Sequence, residues 1–114
     1  MPPARWRTPL TDRLFEAVLA LRTPEECERF FEDLCTMKEI TDLSHRLEIA
    51  RLLHGGAKYE EVIAAMRERL AGPPGDAVAH LPSTATISRI NRFLRYGADG
   101  YRLILERVGA SQRA

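Results

Sequence analysis

The stretch that decides the fold is Ser83–Tyr96, which reads STATISRINRFLRY. Ser83 is a favourable N-cap residue, because its hydroxyl can accept a hydrogen bond from a backbone N–H in the first turn. Gly97 follows at the position where a glycine in the left-handed conformation commonly ends a helix. At about 100° per residue, the apolar side chains fall on one side of a helix and the polar side chains on the other. The pattern therefore predicts a short amphipathic helix with one buried face.

The polar face of this helix has the composition of a DNA recognition helix. Small and hydroxyl side chains come first and arginines follow, with Arg89 on the flank of the face: Thr84, Ala85, Ser88, Arg89, Arg92 and Arg95. Small side chains let a helix enter a groove, whereas hydroxyl and guanidinium groups bind base edges and phosphates. We therefore predict that these six residues contact double-stranded DNA. An ordinary solvated helix face has a similar pattern, so this helix alone leaves both interpretations open.

The distribution of charge favours DNA more than the net charge of +1 does. Residues 16–48 contain nine acidic and four basic side chains. Residues 81–114 contain six arginines and two acidic side chains. The predicted recognition helix thus lies in the basic end of the chain, as expected for a surface that binds phosphates.

The remaining sequence predicts five further helices and no strand. Threonines precede the first three, and Thr23 with Glu26 and Thr36 with Glu39 match the capping-box pattern. The first three of these helices begin after residues 8, 23 and 36, and the third runs to about residue 54. The other two span about 58–70 and 100–108, and Gly109 ends the last one. The sequence therefore predicts an all-α fold of about six helices.

The predicted domain organisation is simple. A chain of 114 residues is long enough for one modest core, which we place over residues 9–109. Residues 1–8 are predicted to be a flexible arm and residues 110–114 a disordered tail. The first three helices are more apolar than a monomer of this size needs, which favours a homodimer, although a self-contained bundle is the alternative.

Several classes of function are not expected. Cys27 and Cys35 fit no zinc motif, so we interpret them as reduced core thiols of a cytoplasmic protein. The histidines have no metal-ligand spacing, and we predict no metal and no cofactor. No apolar run approaches the ~20 residues of a membrane span, and the first residues lack a signal-peptide core. We find no catalytic constellation and predict that the protein is not an enzyme.

Four separate phrases in the right order resemble the YerC/YecD branch of the Trp repressor superfamily. They are FEDLCT at 31–36, RLEIA at 46–50, STATISRINR at 83–92 and YGADGY at 96–101, and the resemblance covers about residues 10–109. It implies an intertwined homodimer with a helix-turn-helix over about 58–96 and two recognition helices roughly 34 Å apart. It also implies that Thr84, Ala85 and Ser88 meet DNA.

Two features depart from that family pattern. The two motif helices are joined by an extended loop, with an insertion over about 71–82 that includes Gly72–Gly75. In addition, Ile90 and Phe93 replace a glycine and a serine near the family's tryptophan pocket, although polar positions around the ligand are matched by Thr36, Arg46, Thr86 and Arg89. We therefore predict that this pocket is filled by apolar side chains and that tryptophan does not bind.

These observations predict a DNA-binding transcriptional regulator, acting as a repressor without tryptophan as corepressor. Two alternatives remain open. One is a helical protein-interaction module that does not bind DNA, which the acidic N-terminal half and the insertion favour. The other is a repressor that responds to a different small molecule, which requires an open cavity between Arg46 and Arg89.

Overall fold

The computed structural model describes residues 5–70 and 81–113, and within these ranges it contains helices and no strand. The helices, in chain order, are α1 (Pro9–Ala20), α2 (Pro24–Leu34), α3 (Met37–His54), α4 (Tyr59–Arg69), α5 (Thr84–Tyr96) and α6 (Gly100–Arg113). The prediction of an all-α fold of about six helices is confirmed. Residues 1–4 of the predicted arm, most of the predicted insertion and Ala114 lie outside the described residues.

Side-chain caps determine where the first helices begin. Thr8 and Thr11 cap each other at the start of α1, with N···Oγ1 distances of 2.8 and 3.3 Å. The predicted capping box at α3 is also present, since the Glu39 carboxylate accepts from the Thr36 N–H at 2.9 Å and the Glu39 N–H donates to the Thr36 hydroxyl at 3.1 Å. The hydrogen bond from the Thr36 backbone N–H lowers the pKa of Glu39.

The predicted capping box at Thr23 is only half correct. The Thr23 hydroxyl accepts from the Glu26 N–H at 3.1 Å, as expected. The Glu26 carboxylate, however, accepts from the N–H of Arg22 at 3.0 Å, one residue before the predicted partner. The helix begins at the predicted residue, but the Glu26 carboxylate satisfies the backbone N–H of Arg22 instead of that of Thr23.

The ends of the last two helices differ from the prediction. Gly97 ends α5 with φ −85° and ψ −150° rather than in the left-handed region, and Asp99 has the positive φ instead, at 68°. A Cβ on Gly97 would clash with the Phe93 carbonyl oxygen, so close approach to that carbonyl is what requires glycine. Helix α6 continues through Gly109 to Arg113. The predicted end at Gly109 is wrong, because an interior glycine costs a helix only about 1 kcal/mol. The disordered tail predicted over residues 110–114 stays a prediction.

The chain divides into two compact units, residues 1–40 and 41–114. In the first unit, the described residues of α1 and α2 include no buried side chain. The Trp6 and Phe15 rings lie nearly perpendicular, with their centroids 5.9 Å apart, and Arg7 pairs with Asp12 at 2.7 Å, so part of the predicted arm contacts α1. The single domain predicted over 9–109 stays a prediction.

The second unit contains the core. Its buried members come from α3, α4 and α5: Ile49, Ala50, Leu53, Val62, Met66, Ile87, Ile90 and Leu94. Tyr101 and Leu105 of α6 pack against this core. Glu48 of α3 forms ion pairs with Arg51 and with Arg69, the last residue of α4. Helices α3, α4 and α6 thus hold one face of α5.

Candidate nucleic-acid interface and adjoining cavity

One face of α5 is fixed in the core and the opposite face is open to solvent. The helix starts where predicted, because the Ser83 hydroxyl accepts from the Thr86 N–H at 3.1 Å. Ile87, Ile90 and Leu94 are the buried residues of α5. The six side chains predicted to contact DNA are all exposed: Thr84, Ala85, Ser88, Arg89, Arg92 and Arg95. The wheel prediction of the two faces is therefore correct, whereas their contact with DNA stays a prediction.

The exposed face of α5 is positively charged and carries no acidic residue. Neither Arg89 nor Arg92 forms an ion pair with a carboxylate in residues 5–70 or 81–113. An arginine without a local carboxylate keeps all of its N–H donors for another anion. This face is consequently suited to an anionic partner.

Arg95 differs from the other two arginines because a neighbouring side chain holds it. Its Nε donates to Oδ1 of Asn91 at 3.1 Å, and Nδ2 of Asn91 donates to the hydroxyl of Tyr59 at 3.4 Å. Tyr59 is the first residue of α4, so these bonds join the two helices of the predicted motif. No role was predicted for Tyr59 or Asn91 from the sequence. The spacing of four residues between Asn91 and Arg95 was the available signal.

A cavity of about 250 Å³ lies beside this face, where the sequence predicted a filled site. Its lining comes from α3, α5 and α6: Arg46, Thr86, Arg89, Ile90, Phe93 and Tyr101. Ile90 is buried as expected, but Phe93 is 51% exposed and leaves the space open. The prediction that apolar side chains fill the site is wrong for this reason. The prediction that tryptophan does not bind remains a prediction.

The cavity combines cationic and aromatic groups. Arg46 and Arg89 supply guanidinium donors, Thr86 a hydroxyl, and Phe93 and Tyr101 aromatic rings. The volume is below the roughly 300–1,000 Å³ typical of pockets for drug-sized ligands. Tyr101 was not predicted, because only the packing of α6 against α5 brings it here. Thr36, matched to the family's pocket by resemblance, caps α3 through its bonds with Glu39.

Three further features of the described residues concern metal ligands, thiols and membrane spans. Residues 5–70 and 81–113 contain no cluster of His, Cys, Asp or Glu that could hold a metal ion. Cys27 and Cys35 are free thiols that are partly exposed, rather than the core thiols we predicted. In the part of the chain that the structure describes, no helix is both long and apolar enough to cross a membrane.

Comparison with known proteins identifies the family. The family model described as Trp repressor protein matches residues 10–71. The chain belongs to the Trp repressor family. It is also 45% identical over 97 residues to the uncharacterized protein YerC of Bacillus subtilis (strain 168), covering 85% of this chain and 80% of YerC. The YerC-type resemblance is thereby confirmed, and the family is regulatory rather than enzymatic.

Two solved structures share the fold of this Trp repressor family member. The crystal structure of a protein from Staphylococcus aureus, proposed to be a Trp repressor, has a TM-score of 0.72 and 39% identity, covering 90% of this chain and 89% of that one. A TrpR-like protein from Eubacterium eligens ATCC 27750 has a TM-score of 0.74 and 39% identity, covering 90% of this chain and 92% of that one.

Proposed function

We propose that the protein is a sequence-specific DNA-binding transcriptional regulator that acts as a homodimer in the cytoplasm. Helices α4 and α5 form the helix-turn-helix, joined by the extended connection after Arg69, and α5 enters the major groove. Membership of the Trp repressor family supports this function. The observation that carries it is the exposed face of α5, which is basic and free of acidic residues while its apolar side is held in the core.

The two ends of α5 have different tasks in this proposal. In a helix-turn-helix the N-terminal residues of the second helix contact base edges. Thr84, Ala85 and Ser88 occupy that end and read sequence through hydroxyl and methyl groups. Arg92 and Arg95 lie further along and bind phosphates, which position the helix without reading sequence. Bound regulator then occludes a promoter.

A gel-shift assay on genomic fragments, over a range of KCl concentrations, tests this function. Wild-type protein is expected to bind with an affinity that falls steeply with salt. Arg92→Ala with Arg95→Ala is expected to weaken binding and to reduce the log–log salt slope by about 0.9 for each phosphate contact removed. The matched control, Arg102→Ala with Arg107→Ala, removes the same charge from α6. Equal affinities for the two double variants would contradict the proposal.

The cavity favours a second candidate function, regulation by a small molecule other than tryptophan. Arg89 both lines the cavity and stands at the flank of the exposed face of α5. A bound anion that engages Arg46 and Arg89 therefore leaves fewer N–H donors of Arg89 available to DNA. Thermal shift with a panel of small carboxylates and phosphates tests this function, with Arg46→Ala as the variant that loses the response. Equal shifts for wild type and Arg46→Ala would reject it.

A further inference from the structure

Tyr59, Asn91 and Arg95 form a chain of hydrogen bonds that runs from α4 to the exposed face of α5. The Arg95 Nε lies 3.1 Å from Oδ1 of Asn91, and Nδ2 of Asn91 lies 3.4 Å from the Tyr59 hydroxyl. An arginine Nε can only donate, so the amide oxygen of Asn91 must face it. The amide NH₂ then faces Tyr59, whose hydroxyl oxygen accepts. Each member of the chain thus determines the orientation of the next.

Along this series of hydrogen bonds, the side chains become more exposed from Tyr59 to Arg95. Tyr59 is partly buried and packs against the core. Asn91 is half-buried, and Arg95 is exposed. Arg92, one turn away on the same helix, has no such restraint within the described residues and must lose its rotamer freedom when it binds an anion. Arg95 has given up part of that freedom before any partner arrives, which is preorganisation.

The bond through Nε leaves the anion-binding end of Arg95 available. A guanidinium has five N–H donors, and the four on its two terminal nitrogens are not used in this chain. Two of them suffice for a bidentate contact with a phosphate. Arg95 lies in the last turn of α5, and this end of a recognition helix faces the DNA backbone rather than the base edges.

We propose that Tyr59 and Asn91 are positioning residues that hold the Arg95 guanidinium ready for a DNA phosphate. This inference rests on the proposed DNA-binding function and adds to it a coupling between the two motif helices. The Tyr59 hydroxyl touches no DNA in this arrangement and acts through Asn91. Loss of that hydroxyl therefore weakens DNA binding only as long as Arg95 is present.

The first test is a double-mutant cycle with Tyr59→Phe and Arg95→Ala. Binding is measured by fluorescence anisotropy with a labelled mixed-sequence duplex of about three helical turns, because phosphate contacts need no operator. Arg95→Ala is expected to weaken binding about tenfold, because it removes a charge-assisted hydrogen bond to a phosphate. Tyr59→Phe is expected to weaken it about threefold, because it removes a neutral hydrogen bond. The double variant is expected to bind no more weakly than Arg95→Ala alone. Tyr96→Phe, which removes an exposed hydroxyl beside Arg95, is the matched control and should bind as wild type does.

The second test needs no DNA. The Arg95 Nε–H signal is followed by NMR in the free protein, together with its exchange with water. Tyr59→Phe is expected to shift this signal and speed its exchange, whereas Tyr96→Phe is expected to leave both unchanged. An unchanged Arg95 signal in Tyr59→Phe would show that the hydroxyl does not restrain the guanidinium and would overturn the inference.

The DNA results separate the inference from the proposed function. In one outcome, wild type binds DNA in a salt-dependent way while the losses in binding free energy from Tyr59→Phe and Arg95→Ala are additive in the double variant. In that case Tyr59 acts through general packing and only the inference fails. If wild type binds no duplex at any salt concentration, the proposed function is wrong, and the inference that rests on it is wrong as well. Equal melting temperatures of Tyr59→Phe and Tyr96→Phe are expected, since a positioning role leaves the core intact.

Discussion

The two compact units of the chain form their helices in the same way but differ in what stabilises them. Helices α1 and α2 in residues 1–40 have well-made caps, yet their described residues include no buried side chain. The eight buried core residues found in the described part of the chain all lie in residues 41–114. Leu10 and Leu19 of α1 are 75% and 84% exposed. Caps and helical periodicity are therefore enough to specify a helix, but they do not bury its apolar face.

The difference explains why a homodimer is an integral part of the proposed function. Short helices are marginal in water without tertiary packing, and much of the apolar surface of the described residues of α1 and α2 stays exposed. A second copy of the chain offers the same surface in return, as a two-fold interface requires. In the proposed dimer, the first unit would bury by association the kind of apolar surface that the second unit buries in its own core.

The largest expected effect is on the dimer. Replacing Leu19 by lysine puts a charge on the apolar face of α1 in both copies. Burial of one leucine side chain is worth about 1.5–3 kcal/mol, so a two-fold interface loses about 3–6 kcal/mol, or a factor of at least about one hundred in dimer affinity. Sedimentation equilibrium measures this loss. Glu16→Gln changes the charge of the same helix by the same amount and should leave the dimer intact. Equal dimer affinities for the two variants would show that the face of α1 around Leu19 is not in the interface.

The second prediction compares large-to-small changes in the two units. Ile87 of α5 is 0% exposed, and Ile87→Ala is expected to lower the free energy of unfolding by about 2–5 kcal/mol through lost burial and a cavity. Leu10→Ala at the exposed start of α1 is expected to change it by no more than about 0.5 kcal/mol in dilute monomer. Urea unfolding followed by circular dichroism measures both. A comparable loss from Leu10→Ala would mean that the first unit has a core of its own.

The smallest effect concerns Glu48, which joins α3 to the end of α4 in the second unit. The hydrogen bond from Arg51 lowers the pKa of Glu48, partial burial opposes this, and the charges of Arg51 and Arg69 lower it further. Because the pKa is lower in the folded than in the unfolded chain, the stabilisation is complete above the ordinary value of 4.5 and disappears as the pH falls through the folded pKa. Glu48→Gln is expected to cost about 1 kcal/mol near neutral pH, since solvent screens the exposed arginines.

The pH series distinguishes this ion pair from general acid sensitivity. Unfolding free energies of wild type and Glu48→Gln should converge as the pH drops below 4.5. Glu106→Gln removes an exposed carboxylate from α6 and should keep the wild-type pH dependence. Parallel curves for wild type and Glu48→Gln would show that the pair does not contribute to stability.

The local features of the candidate site followed from the sequence, and the features that join helices did not. Three features depend only on residues within a few positions of each other, where helix geometry fixes the spacing. They are the N-cap at Ser83, the burial of Ile87 and the exposure of the arginines. The cavity was predicted to be filled, since sequence cannot show that Phe93 stays 51% exposed. Tyr59 and Tyr101 were missed because each reaches α5 from another helix.

The amino-acid sequence by itself determined the six helices of the described residues, most of their starts and the two faces of α5, because capping and periodicity are local properties. Its phrases also sufficed to assign the Trp repressor family. Only the tertiary structure decided that the buried core of residues 5–70 and 81–113 comes from the second unit, that a cavity stays open beside Arg89 and that Asn91 joins Arg95 to Tyr59. These features depend on distances between side chains far apart in the chain, which are set by how the helices pack and not by the order of residues along any one of them.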